Sequence, residues 1–235
     1  MHKVILMACA ALAACSSGDA ASAPQIAGDD LNPVVVELYQ SQGCSSCPPA
    51  NANLNAIAGR KGVLALSFAV TYWDQLGWKD QFAKPQYTQR QWDFANTSGR
   101  GNVATPQVIV NGSGNMTGAD KAHFARLLAV GGPKGGPAIG VDQGGVTIGA
   151  GTGARPATVW LVRYDPRTRN VAIRAGENGG RTLPHRNIVT ELRALGNWSG
   201  AAARFGVMPS ADKALLSAIL VQQGKGGPIV AARKL

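Results

Sequence analysis

Residues 34–49 read Val-Val-Val-Glu-Leu-Tyr-Gln-Ser-Gln-Gly-Cys-Ser-Ser-Cys-Pro-Pro, an apolar β-branched run that ends in a polar turn and two cysteines. This order predicts a buried strand, a loop and a dithiol at the start of a helix. A thiol placed there lies beside backbone N–H groups that favour negative charge, so its pKa falls and it becomes a nucleophile near neutral pH. The spacing of Cys44 and Cys47 also suits half a zinc site or a passive disulfide, and the pattern alone leaves these alternatives open.

The sequence after the dithiol predicts a parallel strand–helix–strand unit. A helix is expected over residues 49–59 and a second buried strand over residues 63–70. Farther along, Thr105-Pro106 opens a β-branched strand that ends at Asn111-Gly112, a pair typical of hairpin turns. An amphipathic helix over residues 119–130 closes this part of the chain.

The connection after the second strand is rich in aromatic side chains. Tyr72, Trp73 and Asp74 open it, and Trp78 and Asp80 follow. These aromatic rings either form the wall of a peptide-binding groove or pack beneath a long loop. Asp74 and Asp80 are candidate proton carriers for a buried thiol, although the neighbouring tryptophans equally suggest that they fix the loop.

The first residues have the composition of an export signal, with one Lys, a short apolar run and then small residues. The run is too short to cross a bilayer. Leu12-Ala13-Ala14-Cys15 resembles the bacterial lipobox, which implies cleavage after residue 14 and a lipid on Cys15. We therefore expect a signal peptide at 1–14, a flexible tether at 15–32 and a periplasmic lipoprotein of the outer membrane. An ordinary signal cleaved after residue 23, giving a soluble exported protein, is the alternative.

Export leaves few thiols. Cys9 leaves with the signal and Cys15 is acylated, so Cys44 and Cys47 remain. In an oxidising compartment such a pair usually forms a disulfide, but a two-residue spacer closes a very small loop. That loop constrains the unfolded chain little, so a purely stabilising role explains the pair poorly.

The net charge of +10 lies almost entirely in the second half of the chain. Residues 24–130 carry 8 basic and 7 acidic side chains, whereas residues 131–235 carry 14 and 5. This asymmetry indicates either attraction to an anionic surface, such as lipid head groups, or solvated sheet faces. Nucleic acid is a poor partner for an exported chain without a recognisable binding motif.

The composition changes at Gly131. Residues 131–137 read as a Gly- and Pro-rich linker. Short β-rich runs with turns between them then predict an antiparallel, sandwich-like domain over residues 138–235. Within it, residues 183–195 can also be read as a helix.

Four separated blocks resemble the exported thioredoxin-like family filed as domain of unknown function 1223. They lie at residues 35–50, 72–83, 105–112 and 176–181. The resemblance implies an α/β fold, with a thioredoxin-like domain at 33–131 followed by the β-rich domain at 138–235. By position it implies that Cys44 is the attacking thiol, that Cys47 is the resolving thiol, and that Thr105 and Pro106 form a cis-proline loop that binds an extended substrate.

The chain departs from well-studied thioredoxins on both sides of the dithiol. Gly43 precedes the first cysteine where a Trp is usual, and Pro48 and Pro49 follow the second. Two prolines delay the helix and weaken the effect of its dipole on Cys44. Partial compensation is expected from the hydroxyl groups of Ser45 and Ser46, and further support from Tyr72, Trp73 and Asp74.

The favoured hypothesis is an exported thiol–disulfide oxidoreductase that exchanges disulfides with protein or small thiol substrates. It requires Cys44 to be exposed and easily ionised when reduced. The Cys44–Cys47 disulfide is the redox group, and neither an organic cofactor nor a metal is expected. The alternatives are a non-catalytic envelope scaffold with an inert disulfide, and a copper or zinc carrier that uses the dithiol.

Overall fold

The structure is a computed structural model that describes residues 29–151 and 155–235. The expected signal peptide (1–14), the expected lipidation site Cys15 and residues 15–28 of the expected tether lie outside the described residues. The described chain is a mixed α/β structure with few helices and one large mixed sheet. Along the chain the elements are β1 (Val34–Gln40), α1 (Pro48–Ile57), β2 (Val63–Ala69), a short 3-10 helix (Asp74–Leu76), α2 (Pro85–Thr97), β3 (Gln107–Val110), β4 (Gly114–Met116), α3 (Lys121–Leu128), β5 (Ile139–Asp142), β6 (Gly145–Ile148), β7 (Ala157–Asp165), β8 (Arg169–Ala172), β9 (Thr182–His185), β10 (Ile188–Trp198), β11 (Ala203–Gly206), β12 (Leu216–Gln223) and β13 (Ile229–Lys234).

β1 lies inside the sheet, and all seven of its residues are buried. Its side chains alternate between two apolar layers, as the two-residue period of a strand requires. Val35 and Tyr39 pack on one face, and Val34, Val36 and Leu38 pack on the other. β2 runs parallel to β1 along its whole length. The predicted strand–helix–strand unit is therefore confirmed.

β3 pairs antiparallel with β1 on its other side, and β4 follows through a tight turn. The turn residues Asn111 and Gly112 have positive φ angles of 49° and 71°. A Cβ atom at residue 112 would lie 2.5 Å from the carbonyl oxygen of Gly227. Both the backbone angle and this close approach require glycine, and the predicted hairpin is confirmed.

The carboxy-terminal segment, residues 138–235, extends the sheet of the amino-terminal segment, residues 33–131. Within the described residues eight strands run in the order β13-β12-β7-β10-β2-β1-β3-β4. β10 covers the free edge of β2, where the Ser67 N–H donates to the Asn187 carbonyl oxygen at 2.9 Å. A buried strand edge needs such partners for its N–H and C=O groups.

This arrangement differs from the expected antiparallel sandwich. Four strands of the carboxy-terminal segment belong to the shared sheet, while β5, β6 and β11 form a small sheet and β8 and β9 form a ribbon. Residues 188–198 form β10, so the helix considered for residues 183–195 is wrong. No helix in the part of the chain that the structure describes is both long and apolar enough to cross a membrane.

Candidate functional site

Cys44 and Cys47 form a disulfide in the loop that joins β1 to α1. The loop turns tightly, because the Cys44 N–H donates to the Ser41 carbonyl oxygen and the Cys47 N–H donates to the Cys44 carbonyl oxygen, both at 3.2 Å. Neither cysteine exposes any of its surface, whereas Ser45 and Ser46 between them are exposed. The disulfide therefore lies just beneath the surface, covered by its own loop and its neighbours.

The segment before β3 packs directly against the disulfide. The Thr105–Pro106 peptide bond is cis. The Thr105 carbonyl oxygen lies 3.7 Å from Cys44 Sγ, and the Ser46 hydroxyl lies 3.3 Å from the same sulfur. A disulfide sulfur has no proton, but a reduced Cys44 thiol would be placed to donate to this carbonyl.

A groove of about 220 Å³ runs beside Pro106 and reaches the edge strand β4. An edge strand presents unpaired backbone groups to which an extended peptide can add. The residues that line the groove include Arg100, Val103, Pro106, Gln107, Asn115 and Met116.

The further predicted support residues, Tyr72, Trp73 and Asp74, have different partners. The Trp73 indole N–H donates to the Thr105 hydroxyl at 2.7 Å. The Tyr72 hydroxyl donates to Gln91 at 3.3 Å, and burial raises its pKa. Asp74 accepts the N–H of Asp80 at 3.1 Å and so acts on the site through that residue.

Asp80 is a buried carboxylate tied to the disulfide loop. Its Oδ2 accepts the Gln42 N–H at 2.8 Å, and its Oδ1 accepts the Phe82 N–H at 2.9 Å. Burial raises the pKa of Asp80 to about 6, although these two N–H donors favour its charged form. Both of these donors are backbone N–H groups, so Asp80 fixes the position of the loop.

Sequence reasoning assigned no role to a second loop, residues 176–181, which joins β8 to β9. Asn178 is fully buried, and its amide donates to the carbonyl oxygens of Gln42 and Cys44 at 2.9 and 2.8 Å. The neighbouring Glu177 is exposed, and its carboxylate accepts both the N–H and the hydroxyl of Ser45, at 3.0 and 2.8 Å. These contacts join residues more than 130 positions apart, and the only signal for them was the family resemblance at residues 176–181.

Ser45 and Ser46 thus contact different partners. Both donors of Ser45 point to Glu177, so the expected hydroxyl donation from Ser45 to Cys44 is replaced by this contact. Ser46 remains next to the sulfur, and its hydroxyl also lies 3.4 Å from the Thr105 carbonyl oxygen. Within the described residues no group of three or more His, Cys, Asp or Glu side chains is placed to hold a metal ion.

Comparison with known proteins gives a family match and two similar structures. The sequence model of the family described as "Protein of unknown function (DUF1223)" matches residues 35–222. A crystal structure of protein AGR_C_4864 from Agrobacterium tumefaciens is 30% identical, with a TM-score of 0.71, and the match covers 86% of this chain and 93% of that one. HBP35 of Porphyromonas gingivalis is 14% identical, with a TM-score of 0.55 and coverage of 88% and 76%, so that its likeness concerns the fold alone. No curated protein matches the chain.

Proposed function

The chain belongs to the DUF1223 family of proteins of unknown function, and from that premise we propose that it is an exported thiol–disulfide oxidoreductase with a thioredoxin-like catalytic region. The proposal keeps the expectation of a periplasmic protein, anchored to the outer membrane through a lipid on Cys15. Its substrates are disulfide- or thiol-bearing proteins or small thiols.

One observation carries the proposal. A disulfide of Cys-x-x-Cys spacing lies between a central strand and a helix, and the carbonyl oxygen that precedes a cis proline lies 3.7 Å from its first sulfur. The strand order β2-β1-β3-β4, with β3 antiparallel to β1, further supports a thioredoxin-like arrangement. The groove beside Pro106 would receive the extended segment that carries the substrate sulfur.

The reaction follows from the order of the two sulfurs. In the reduced protein the Cys44 thiolate attacks one sulfur of a substrate disulfide, the substrate S–S bond breaks, and a mixed disulfide forms. The Cys47 thiolate then attacks Cys44 Sγ, the mixed disulfide breaks, and the Cys44–Cys47 bond forms. Two electrons and two protons have then passed to the substrate, which leaves as a dithiol. The same steps in reverse oxidise a substrate dithiol.

Burial of both sulfurs adds a condition to this reaction. A thiolate must approach a disulfide sulfur directly, and neither cysteine has exposed surface in the oxidised form. The Ser45-Ser46 turn and the Thr105-Pro106 segment cover the two sulfurs. Exchange therefore requires this cover to move aside. Ser45 and Ser46 are exposed, so the turn can move without uncovering the apolar core.

The test compares the wild-type chain with Cys44→Ser and Cys47→Ser. The wild type should equilibrate with glutathione and reduce or oxidise a peptide disulfide, while Cys44→Ser should show no turnover. Cys47→Ser should accumulate a mixed disulfide at Cys44, identified by peptide mass, because the resolving thiol is missing. Equal turnover in the wild type and in Cys44→Ser would rule out the proposed mechanism.

A second candidate, a non-catalytic envelope scaffold with an inert disulfide, is favoured by one observation. Both cysteines are completely buried, and buried cysteines are generally unreactive. Resistance of the wild-type disulfide to glutathione across its accessible range of potentials, with an unfolded control that reacts, would support the scaffold.

A further inference from the structure

The loop of residues 176–181 brings a carboxylate to the disulfide from the carboxy-terminal segment. Gly176 has a φ of +71°, and a Cβ atom there would lie 3.3 Å from Trp78 Cβ, so this loop packs closely on the amino-terminal segment. The buried Asn178 fixes the loop to the backbone carbonyl groups of Gln42 and Cys44. Glu177 is thereby held over Ser45, the residue that follows the attacking cysteine.

Glu177 is ionised in this position. The backbone N–H of Ser45 and then its hydroxyl hold the pKa of the Glu177 carboxyl below its usual value. The carboxylate thus occupies both donors of Ser45, the residue next to Cys44. A negative charge next to a thiol also disfavours its ionisation.

Little around the disulfide offsets this charge. Pro48 and Pro49, at the first positions of α1, have no N–H to donate, so this helix end offers fewer donors than usual. Neither α1 nor the loop of residues 102–106 contains a charged residue. The 3.7 Å contact of Cys44 Sγ with the Thr105 carbonyl oxygen favours a thiol that donates over a thiolate.

The other neighbouring segments carry both acidic and basic side chains. The connection that follows β2 contributes Asp74 and Asp80, and its Lys79 is exposed. The loop of residues 176–181 contributes Arg181, whose guanidinium donates to the Asn178 amide oxygen at 2.7 Å. Arg100 lines the groove beside Pro106. Among these charged side chains, Glu177 is the one whose carboxylate contacts the residue next to Cys44.

We infer that Glu177 is a positioning residue that disfavours ionisation of the reduced Cys44 and so makes the pair a stronger electron donor. The inference rests on the proposed function and gives the direction of electron transfer, from this protein to its substrate. In strongly oxidising proteins a stabilised thiolate favours the reduced state. Here the thiolate lacks that stabilisation, so the reduced state gives up its electrons more readily. The dithiol then passes two electrons and two protons to a substrate disulfide, and a low-potential dithiol donor restores it by the same exchange.

The test measures the ionisation of Cys44 directly. The full chain is reduced with dithiothreitol, and the rate of iodoacetamide alkylation at Cys44 is followed against pH by peptide mass. Glu177→Gln keeps an oxygen acceptor for Ser45 and removes only the charge. We expect its alkylation midpoint to fall by roughly one pH unit, a tenfold larger ionisation constant. Glu177→Ala also frees the Ser45 donors and should lower the midpoint at least as far.

The second measurement is the redox equilibrium between the protein and dithiothreitol. Above both midpoints, the equilibrium with dithiothreitol should shift roughly tenfold toward the reduced protein in Glu177→Gln, and tenfold corresponds to about 30 mV. Asp142→Asn is the matched control, because it removes one exposed carboxylate from the small sheet, where Asp142 pairs with Arg204. It should leave the midpoint and the equilibrium unchanged.

The outcomes separate the inference from the proposed function. An alkylation midpoint in Glu177→Gln equal to that of the wild type would overturn the inference, even if the wild type turns over disulfides. A lowered midpoint supports the role of Glu177, and this measurement needs only the chemically reduced protein. The proposed function is judged separately, from the turnover of the wild type against Cys44→Ser.

Discussion

Two of the polar contacts between the two segments of the chain differ in their exposure to water. Inside the sheet, Arg90 of α2 pairs with Glu37 of β1 at 2.7 Å and donates to Gln222 of β12 at 2.9 Å. Arg90 is 5% exposed and Glu37 is fully buried. At the surface, Glu177 reaches Ser45 beside the disulfide, and it is exposed. The inner contact reaches the carboxy-terminal segment through the amide oxygen of Gln222 and is shielded from water, whereas the outer contact is made by an exposed carboxylate.

Exposure to water determines which property each contact affects. Buried charges lose their hydration, so each needs its partner, and removing one partner leaves the other charge uncompensated. Exposed charges remain hydrated, so their removal changes stability little but still changes the electrostatic field at a nearby thiol. The inner contact should therefore act mainly on stability, and the outer contact should act mainly on the ionisation of Cys44.

The largest effect is expected for Arg90→Met. The guanidinium also lies over the rings of Phe94 and Trp160, and Trp160 belongs to the carboxy-terminal segment. Its loss leaves Glu37 charged and buried, which should lower the free energy of unfolding by roughly 3–5 kcal/mol. Urea denaturation followed by circular dichroism measures this change.

The matched control for this prediction is Arg204→Met, which breaks the exposed pair between Arg204 and Asp142. Its urea midpoint should stay close to that of the wild type, because exposed pairs contribute little. The double variant Glu37→Leu with Arg90→Met should recover part of the lost stability, since no unpaired charge remains. Similar effects of Arg90→Met and Arg204→Met would remove the distinction between the two contacts.

A smaller effect is expected at His185, which is buried but has no charged partner. It lies on β9, where the neighbouring Pro184 carbonyl oxygen accepts from Asn55 of α1 and the imidazole packs on Phe82. Among the described residues neither ring nitrogen has a hydrogen-bond partner. Burial lowers the pKa of His185 to about 4, from an ordinary value of 6.5.

The sign of the pH dependence follows from this shift. Below pH 6.5 the unfolded chain binds a proton that the folded chain does not bind until about pH 4. The contribution to stability is therefore complete above pH 6.5 and is lost as the pH falls toward 4, by roughly 3 kcal/mol. Asp80, with its pKa raised to about 6, contributes the opposite slope. The measurement must therefore compare the wild type with a variant across the same pH range.

His185→Leu removes this titration and leaves Asp80 in place. The stability of the variant relative to the wild type should increase steadily between pH 7 and pH 4, as measured by urea denaturation at each pH. His123→Leu is the control, because His123 is exposed on α3. A constant difference between His185→Leu and the wild type over this range would show that His185 does not govern the acid sensitivity.

The sequence predicted the parts of the molecule that short patterns encode. The strand at 34–40, the dithiol after it and the hairpin at Asn111-Gly112 each depend on neighbouring residues, and the structure has all three. The contact between β10 and β2 was not predictable, because it depends on which strand edge remains free once the chain has folded. The strand β9, with a proline in four residues, carried too weak a signal to be recognised.

The residues of the candidate site also fall into those that the sequence predicted and those that it did not. The local Cys-x-x-Cys motif identified Cys44 and Cys47, and the family resemblance added Thr105 and Pro106. The sequence did not predict the burial of both sulfurs, which results from several distant segments packing around them. Nor did it assign roles to Glu177 and Asn178, whose side chains become relevant only through contacts across more than 130 residues.

The sharpest comparison is between these two neighbours on one loop. Asn178→Ala removes two hydrogen bonds from the buried carbonyl groups of Gln42 and Cys44 and should lower the free energy of unfolding by about 2 kcal/mol. Glu177→Gln, one residue away and exposed, should leave the urea midpoint unchanged and shift only the alkylation midpoint of Cys44.

Both variants are measured in two assays, unfolding in urea and the pH dependence of Cys44 alkylation. We expect Asn178→Ala to lower mainly the stability, because it removes buried hydrogen bonds. We expect Glu177→Gln to change mainly the ionisation of Cys44, because it removes an exposed charge. Equal loss of stability in both variants would mean that Glu177 is part of the structural attachment of the loop. The acidity of Cys44 would then depend on where the loop lies, and the charge of Glu177 would have no separate role.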